Sequence, residues 1–183
     1  MNKMDKIDIL SRAFDTNKSV NYVIKQDSKR EKRIRSLVQY SYDKTIKAGR
    51  VFLIEGKAVA LVYSPQNIKT NIFADLKLVF TALGFGNIRK ALGFKSKVKK
   101  NYPNKMLYID LLGVDPQFQG QGYGSQLLDE IKAYANKEKM PLYLETSTLK
   151  NIAFYKRNGF EQYGSIQFEF ELFLFRYVQE KVQ

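Results

Sequence analysis

The stretch VDPQFQGQGYGSQLLDEI, residues 114–131, sets Gly120, Gly122 and Gly124 at alternate positions directly before an amphipathic run. Glycine costs backbone entropy, so such a cluster persists where the main chain takes an unusual path or comes close to something. Behind it lies MLYIDLLGV, residues 106–114, an apolar run of strand composition. Ahead of it Leu127, Leu128, Ile131, Tyr134 and Ala135 recur on one helical face. A strand, a glycine turn and a helix start make an anion site. The first amides of the helix point outward unpaired, and its dipole adds roughly 0.3–1 kcal/mol.

Three phosphate-binding patterns compete for this stretch. A P-loop needs Gly-Lys-Ser/Thr, whereas Gly124 leads into Ser125-Gln126. A dinucleotide fingerprint would start at Gly120-Gln121-Gly122, with Glu145 near the ribose-binding distance. Its third glycine, however, falls on Ser125, and residues 115–119 separate the strand from the first glycine. The third pattern fits: Gln119-Gly120-Gln121-Gly122-Tyr123-Gly124 reads Gln-x-x-Gly-x-Gly after a strand ending in Val114-Asp115-Pro116. This resembles motif A of the GNAT superfamily of acetyl-CoA-dependent N-acetyltransferases. Downstream, Asn151-Ile152-Ala153-Phe154-Tyr155-Lys156-Arg157-Asn158-Gly159-Phe160 resembles the family's motif B. The resemblance covers residues 106–160.

What the resemblance implies can be carried onto single residues. Main-chain amides of Gln119, Gly120, Gln121, Gly122, Tyr123, Gly124 and Ser125 would hold the coenzyme A pyrophosphate, which accounts for glycine without lysine. Main-chain groups of Leu112, Gly113 and Val114 would pair with the pantetheine arm, where the next strand splays away. Asn151 would hydrogen-bond the pantetheine amides, and Lys156 and Arg157 either meet the 3′-phosphate or face solvent. Tyr155 would protonate the departing thiolate, as a phenol that stays protonated at neutral pH can. The acceptor amine would attack the acetyl group directly and must first lose a proton. The chain contains no histidine and no cysteine, so the base is sought among carboxylates. Glu145, on the apolar strand PLYLETS, is the first candidate, and Asp110, two residues before Leu112, is its rival. Thr146, Ser147 and Thr148 are read as caps of the following helix.

The remaining sequence frames these motifs. Residues 28–48 carry Ile34, Leu37, Val38, Ser41, Tyr42 and Ile46 on one helical stripe, with Gly49 as a stop. VFLIEGKAVALVYSP reads as a hairpin around Glu55-Gly56. Residues 71–101 form a basic segment of two short helices, with Leu76, Val79, Phe80 and Leu83 as its apolar face. Residues 166–178 alternate as one strand, with Phe168, Phe170, Leu172 and Leu174 on a common face. The reading is one α/β (α+β) domain over residues 1–183. It has a mixed, mostly antiparallel central sheet flanked by helices and splayed at the strand ending near Val114.

The expected function is transfer of an acetyl group from acetyl-CoA to a primary amine. Within the family the layout looks closest to antibiotic and small-amine acetyltransferases. The net charge of +13 keeps a second class open: a CoA-sensing or nucleic-acid-binding protein on the same fold, or an acetyltransferase of tRNA-borne or protein amines. Against nucleic acid, the aromatics sit in apolar runs rather than among the basic residues. No metal is expected, since no carboxylate cluster is present. The N-terminal residues lack a signal-peptide core, and no window of about 18 residues is apolar and uncharged. The expectation is a cytoplasmic protein without a membrane partner, a monomer or a homodimer formed through the C-terminal strand.

Overall fold

The computed structural model describes residues 1–69 and 71–179. Six strands form one sheet in the order β1-β2-β3-β4-β6-β5. β1 (Gly49–Ile54) and β2 (Ala58–Tyr63) are the expected hairpin, and β3 (Leu107–Val114) lies antiparallel beside β2. β4 (Leu142–Thr146) runs parallel to β3, while β6 (Glu171–Tyr177) pairs antiparallel with both β4 and β5 (Glu161–Gln167). All other neighbours being antiparallel, the sheet is mixed and mostly antiparallel, as its sequence suggested.

Helices cover both faces because the strands alternate apolar side chains to both sides. On one face α6 (Tyr123–Glu138) presses Leu127, Leu128, Ile131 and Ala135 onto Ala60, Val62, Leu107, Ile109, Leu142 and Leu144. α7 (Lys150–Arg157) adds Tyr155 to that layer. On the other face α1 (Lys3–Ala13), α2 (Lys18–Val23) and α3 (Arg30–Ala48) pack Ile7, Leu10, Val20, Ile34 and Val38 over Val59, Leu61 and Leu111. No helix among the described residues is long and apolar enough to cross a membrane.

Two irregularities in β3 position everything that follows. Leu61 pairs with Leu111 but Val62 with Ile109, so Asp110 is an extra residue, a β-bulge. A bulge bends its strand and turns the following side chains over. Leu107 and Ile109 therefore face α6, whereas Leu111 faces the α1–α3 layer. Parallel pairing of β3 with β4 stops at Leu107↔Leu142 and Tyr108↔Tyr143, just before the bulge. Beyond it the strands splay, at the position expected from the sequence.

Three expectations are corrected. Residues 166–178 are not one strand: β5 and β6 form a hairpin whose tip, Phe168–Phe170, is closed by the Phe168 amide donating to the Phe170 carbonyl at 2.9 Å. Phe168 and Phe170 leave the strand face because both rings pack on Tyr22, and Phe168 also on Phe94. β6 is consequently flanked on both edges, and the free edge on this side of the sheet belongs to β5. On α3 the buried stripe runs through Thr45 and Ala48, leaving Ile46 exposed. In the basic segment, α4 (Ile72–Leu78) passes into one π-helical turn at Val79–Leu83, followed by α5 (Ile88–Lys99). The turn buries Ala82 and Leu83 while Leu76 and Phe80 stay exposed.

Gly113 faces α1 so closely that an added Cβ would lie 2.7 Å from Ala13 Cβ and 3.1 Å from Leu10 Cδ2. Gly113→Ala must push α1 outward, and overpacking of this kind costs about 1–3 kcal/mol. Denaturant unfolding should register that loss as a lower midpoint at unchanged slope; an unshifted midpoint would show that α1 yields freely.

Candidate functional site

The glycine stretch is anchored on its strand side by buried Asp115. Its carboxylate accepts from both Nε and Nη2 of Arg12 and from the Gln117 amide, while its own amide donates to the Lys57 carbonyl. Lys57 Nζ reaches over to donate to the Tyr123 hydroxyl at 2.7 Å. Between these ties Gly120 and Gly122 adopt φ of +79° and +87°, a region that costs an L-residue roughly 1–2 kcal/mol. A Cβ at either would meet nothing within 4 Å. These two glycines thus serve backbone path and leave open space. Gly124 differs: its Cβ would stand 3.1 Å from Phe154 Cζ, so it lets α7 approach α6.

Gly122 caps α6, its carbonyl accepting from the amides of Ser125 and Gln126. The preceding amides at this helix start have no intrahelical acceptor and point into the open space. Gln119 and Gln121 turn their side chains back onto the carbonyls of Val114 and Gln117. Next to this cradle, residues 110–114 of β3 have no partner strand on the β4 side. Leu112 and Val114 meanwhile pack their side chains into the α6-side core. The structure thus brings together an unpaired strand edge and a helix start, as an extended ligand with a phosphate end requires.

On α7 the Tyr155 ring is buried against Phe154, Phe160 and Phe175. Burial, with the Glu145 charge in support, pushes its hydroxyl above the usual phenol range and so keeps it protonated. Asn151 Nδ2 donates to Thr146 Oγ1 at 3.2 Å, an oxygen that also accepts from the Thr148 amide. Lys156 and Arg157 are exposed. The expected cap by residues 146–148 is not made. α7 starts after Leu149 without a side-chain cap, because Thr146 is committed to Asn151 and Ser147 Oγ accepts from the Ser19 amide.

Glu145 occupies the opposite sheet face from Leu144. It accepts hydrogen bonds from the hydroxyls of Tyr102 and Tyr108. Burial raises its pKa to about 7, with Asp110 adding to the rise and the two tyrosines and Lys44 opposing it. Tyr63, Tyr108, Tyr102, Tyr143 and Tyr163 form a continuous run of rings around it, with centroids 5.4–5.6 Å apart. From the last paired residues, Tyr108 and Tyr143, Asp110 and Glu145 each lie two positions along, so they flank the mouth of the splay. Lys44 Nζ stands 3.1 Å from Asp110 Oδ2, without hydrogen-bond geometry, and donates to the Tyr63 hydroxyl. The bulge therefore puts Asp110 on the α3 side, while Leu112 faces α6. A cleft of about 830 Å³ between α3 and α4 reaches this cluster along Tyr40 and Lys44.

Tyr102, Tyr108, Tyr63 and Lys44 were not singled out in the sequence. Tyr108 and Asp110 alternate on one strand ahead of the glycines, which is a weak signal; the others meet only through the fold. Among the described residues no group of three or more His, Cys, Asp or Glu could hold a metal ion.

Comparison with known proteins agrees with this geometry. The family model for the acetyltransferase (GNAT) domain matches residues 77–162. A Schizosaccharomyces pombe protein named as an uncharacterized N-acetyltransferase is 35% identical over 72 residues, which are 39% of this chain and 29% of that protein. The match thus spans under a third of that relative's length. A Corynebacterium glutamicum structure described as histone acetyltransferase HPA2 and related acetyltransferase superposes with TM-score 0.72 at 22% identity, covering 100% of this chain and 96% of the other. The C-terminal condensation domain of Ebony, in complex with beta-alanyl-dopamine, gives TM-score 0.69 at 11% identity, over 94% and 92% of the two chains. Residues 77–162 thus match the acetyltransferase (GNAT) domain, and the fold of the whole chain is that of the Corynebacterium glutamicum acetyltransferase structure.

Proposed function

We propose that this protein is an N-acetyltransferase that moves the acetyl group of acetyl-CoA directly to a primary amine, with a small amine as the favoured acceptor. One observation carries the reading: the unpaired edge of β3 leads through the glycine turn to the glycine-capped start of α6, with Glu145 at the mouth of the splay and Tyr155 within reach of its charge. Acetyl-CoA supplies an activated acyl group on sulfur. The amides at Gly120–Gly124 and the β3 edge from Leu112 to Val114 hold and orient it, and the cleft beside Tyr40 and Lys44 admits the acceptor. The absence of cysteine fits a ternary complex without an acyl-enzyme and a reducing, cytoplasmic setting.

Proton traffic follows from the two environments. With its pKa near 7, Glu145 can take a proton from the incoming ammonium at neutral pH, freeing the nitrogen lone pair. The nitrogen–carbon bond forms, the carbon–sulfur bond breaks and the thiolate takes the Tyr155 proton; the second proton that the nitrogen sheds on becoming an amide restores Tyr155, and Glu145 returns its proton to solvent. Because Glu145 works as a carboxylate, activity should rise with pH through about 7 and level off above it.

Calorimetric titration of acetyl-CoA tests the binding half. Gln121→Glu places a like charge beside the cradle without touching a positive-φ glycine, and should weaken binding about tenfold or more. Wild-type protein that does not bind acetyl-CoA would overturn the proposal, and equal affinities would move the pyrophosphate away from this loop.

Thiol-release assays against a panel of small amines test the chemical half. Glu145→Gln should lower kcat/KM by about 10²–10⁴ and abolish the pH limb near 7, and Tyr155→Phe should lower kcat about 10²-fold. Activity of Glu145→Gln that still rises through pH 7 would assign that limb to another group.

The same carboxylate makes a stability prediction. Its folded pKa lies above the unfolded value, so the native state holds the extra proton between about pH 4.5 and 7. Stability must then fall as pH rises through that window. Denaturation of Glu145→Gln should lack this part of the slope; an identical pH dependence would show that Glu145 titrates normally.

A further inference from the structure

We propose that the acceptor of this protein is a small amine that carries a second, anionic group, a carboxylate or a phosphate, held by lysines at the outer end of the cleft between α3 and α4. The inference rests on the acetyltransferase reading above and names the substrate class of the same site. Arg35, Lys44, Lys47, Lys69, Lys77 and Lys95 line the cleft, against two acids, Asp43 and Asp75. Three cations to each acid compare with 31 to 18 in the whole chain, so the excess is concentrated here. The volume of about 830 Å³ is that of a small-molecule site, typically about 300–1,000 Å³.

These cations do not belong to one solvated helix face. Lys47 comes from α3, Lys69 from the segment between β2 and α4, Lys77 from α4 and Lys95 from α5, yet all line one cavity. Both cleft acids are already engaged. Asp43 accepts from Lys3 Nζ at 2.7 Å and from Gln39 Nε2 at 2.9 Å, and Asp75 accepts from the Tyr40 hydroxyl at 2.6 Å. Arg35 is paired with Asp8, and Lys44 with Asp110. The described lysines in ion pairs are Lys3, Lys25, Lys44, Lys90 and Lys132. Among the described residues, Lys69, Lys77 and Lys95 are thus left without an acid, and all three are exposed.

Charge therefore changes sign along the cleft. Its inner end meets Asp110 and Glu145 at the mouth of the splay, with Lys44 beside Asp110. Lys44 Nζ lies 5.8 Å from the centroid of the Tyr40 ring, and Tyr40 reaches on to Asp75, two residues before Lys77 on α4. An ammonium drawn to the two carboxylates places whatever it carries outward, among Lys69, Lys77 and Lys95. An anion there meets complementary charge, a second ammonium meets repulsion, and an uncharged tail gains nothing. Lysine ammonium groups act as point charges, so they serve a carboxylate or a phosphate alike.

Thiol-release kinetics on matched acceptors test this. Propylamine, 1,3-diaminopropane, 4-aminobutanoate and 3-aminopropyl phosphate carry the same amine on the same linker, and shorter and longer homologues of each cover the length of the cleft. Exposed ion pairs each contribute modestly, so several together should raise kcat/KM for an anionic acceptor about tenfold over its uncharged counterpart. The gain should lie in KM at similar kcat, because the anion sits away from the reacting atoms. Whether the carboxylate or the phosphate series is the better identifies the anion. Lys69→Glu, Lys77→Glu and Lys95→Glu together should abolish the preference and favour the diamine. Acetyl-CoA affinity and the unfolding midpoint should stay unchanged. Protein that binds acetyl-CoA yet acetylates propylamine or the diamine as well as any anionic member, or acetylates no anionic member, overturns this proposal alone. So does a triple variant that keeps the wild-type order of acceptors, or an RNA oligonucleotide that blocks the wild type and spares the variant. Protein that does not bind acetyl-CoA overturns the acetyltransferase reading itself, and this inference with it.

Discussion

The extra residue in β3 is the constraint on which this structure turns. Without Asp110 as a bulge, β3 would keep its register with β2 and remain straight enough to pair with β4 along its length. Its edge would then be consumed by the sheet, and no cleft would separate the strands that carry Asp110 and Glu145. With the bulge, a short parallel ladder fixes the bottom of the splay while the open half exposes main-chain groups to a ligand. The helices cannot close this gap: α6 is held on one face by Leu127, Leu128 and Ile131, and α1 is pressed on the other against Gly113.

The same splay creates an electrostatic tension at Glu145. A carboxylate beside five tyrosine rings loses water, and desolvation penalises its charge more than two phenolic hydrogen bonds restore it. The native state therefore carries a group that is more comfortable protonated, and its ionisation above pH 7 works against folding. A residue selected for packing alone would be neutral here. A carboxylate kept where it opposes stability is what the proposed role in proton transfer calls for, since a base with a pKa near 7 is most effective at neutral pH.

The sequence made the fold legible where spacing is local. The strand at residues 107–114, the glycine turn, α6 and α7 all follow from period and turn chemistry, whereas the splay was expected only from the resemblance to the GNAT superfamily. Legibility failed where long-range contacts outweighed local pattern. The alternation through Phe168 and Phe170 looked like strand, yet those rings are recruited by Tyr22 and Phe94 into a hairpin tip. EQYGSIQ carried too few apolar residues to announce β5, whose backbone pairing with β6 compensates. At the candidate site, Tyr155 was readable from its place in motif B and Glu145 from its place on an apolar strand. The tyrosines that surround Glu145 were not, because Tyr63, Tyr102 and Tyr163 come from three separate parts of the chain.

The two acids at the mouth of the splay show how position divides roles between like groups. Asp110 and Glu145 lie in equivalent places on neighbouring strands, so sequence reasoning could rank them only by the apolar run around Glu145. In three dimensions Lys44 is 3.1 Å from Asp110, while Glu145 meets only phenols. The negative charge of Asp110 raises the proton affinity of the acid across the gap. On the proposed mechanism Asp110 thus acts through Glu145, as a charge that raises the proton affinity of the base it faces.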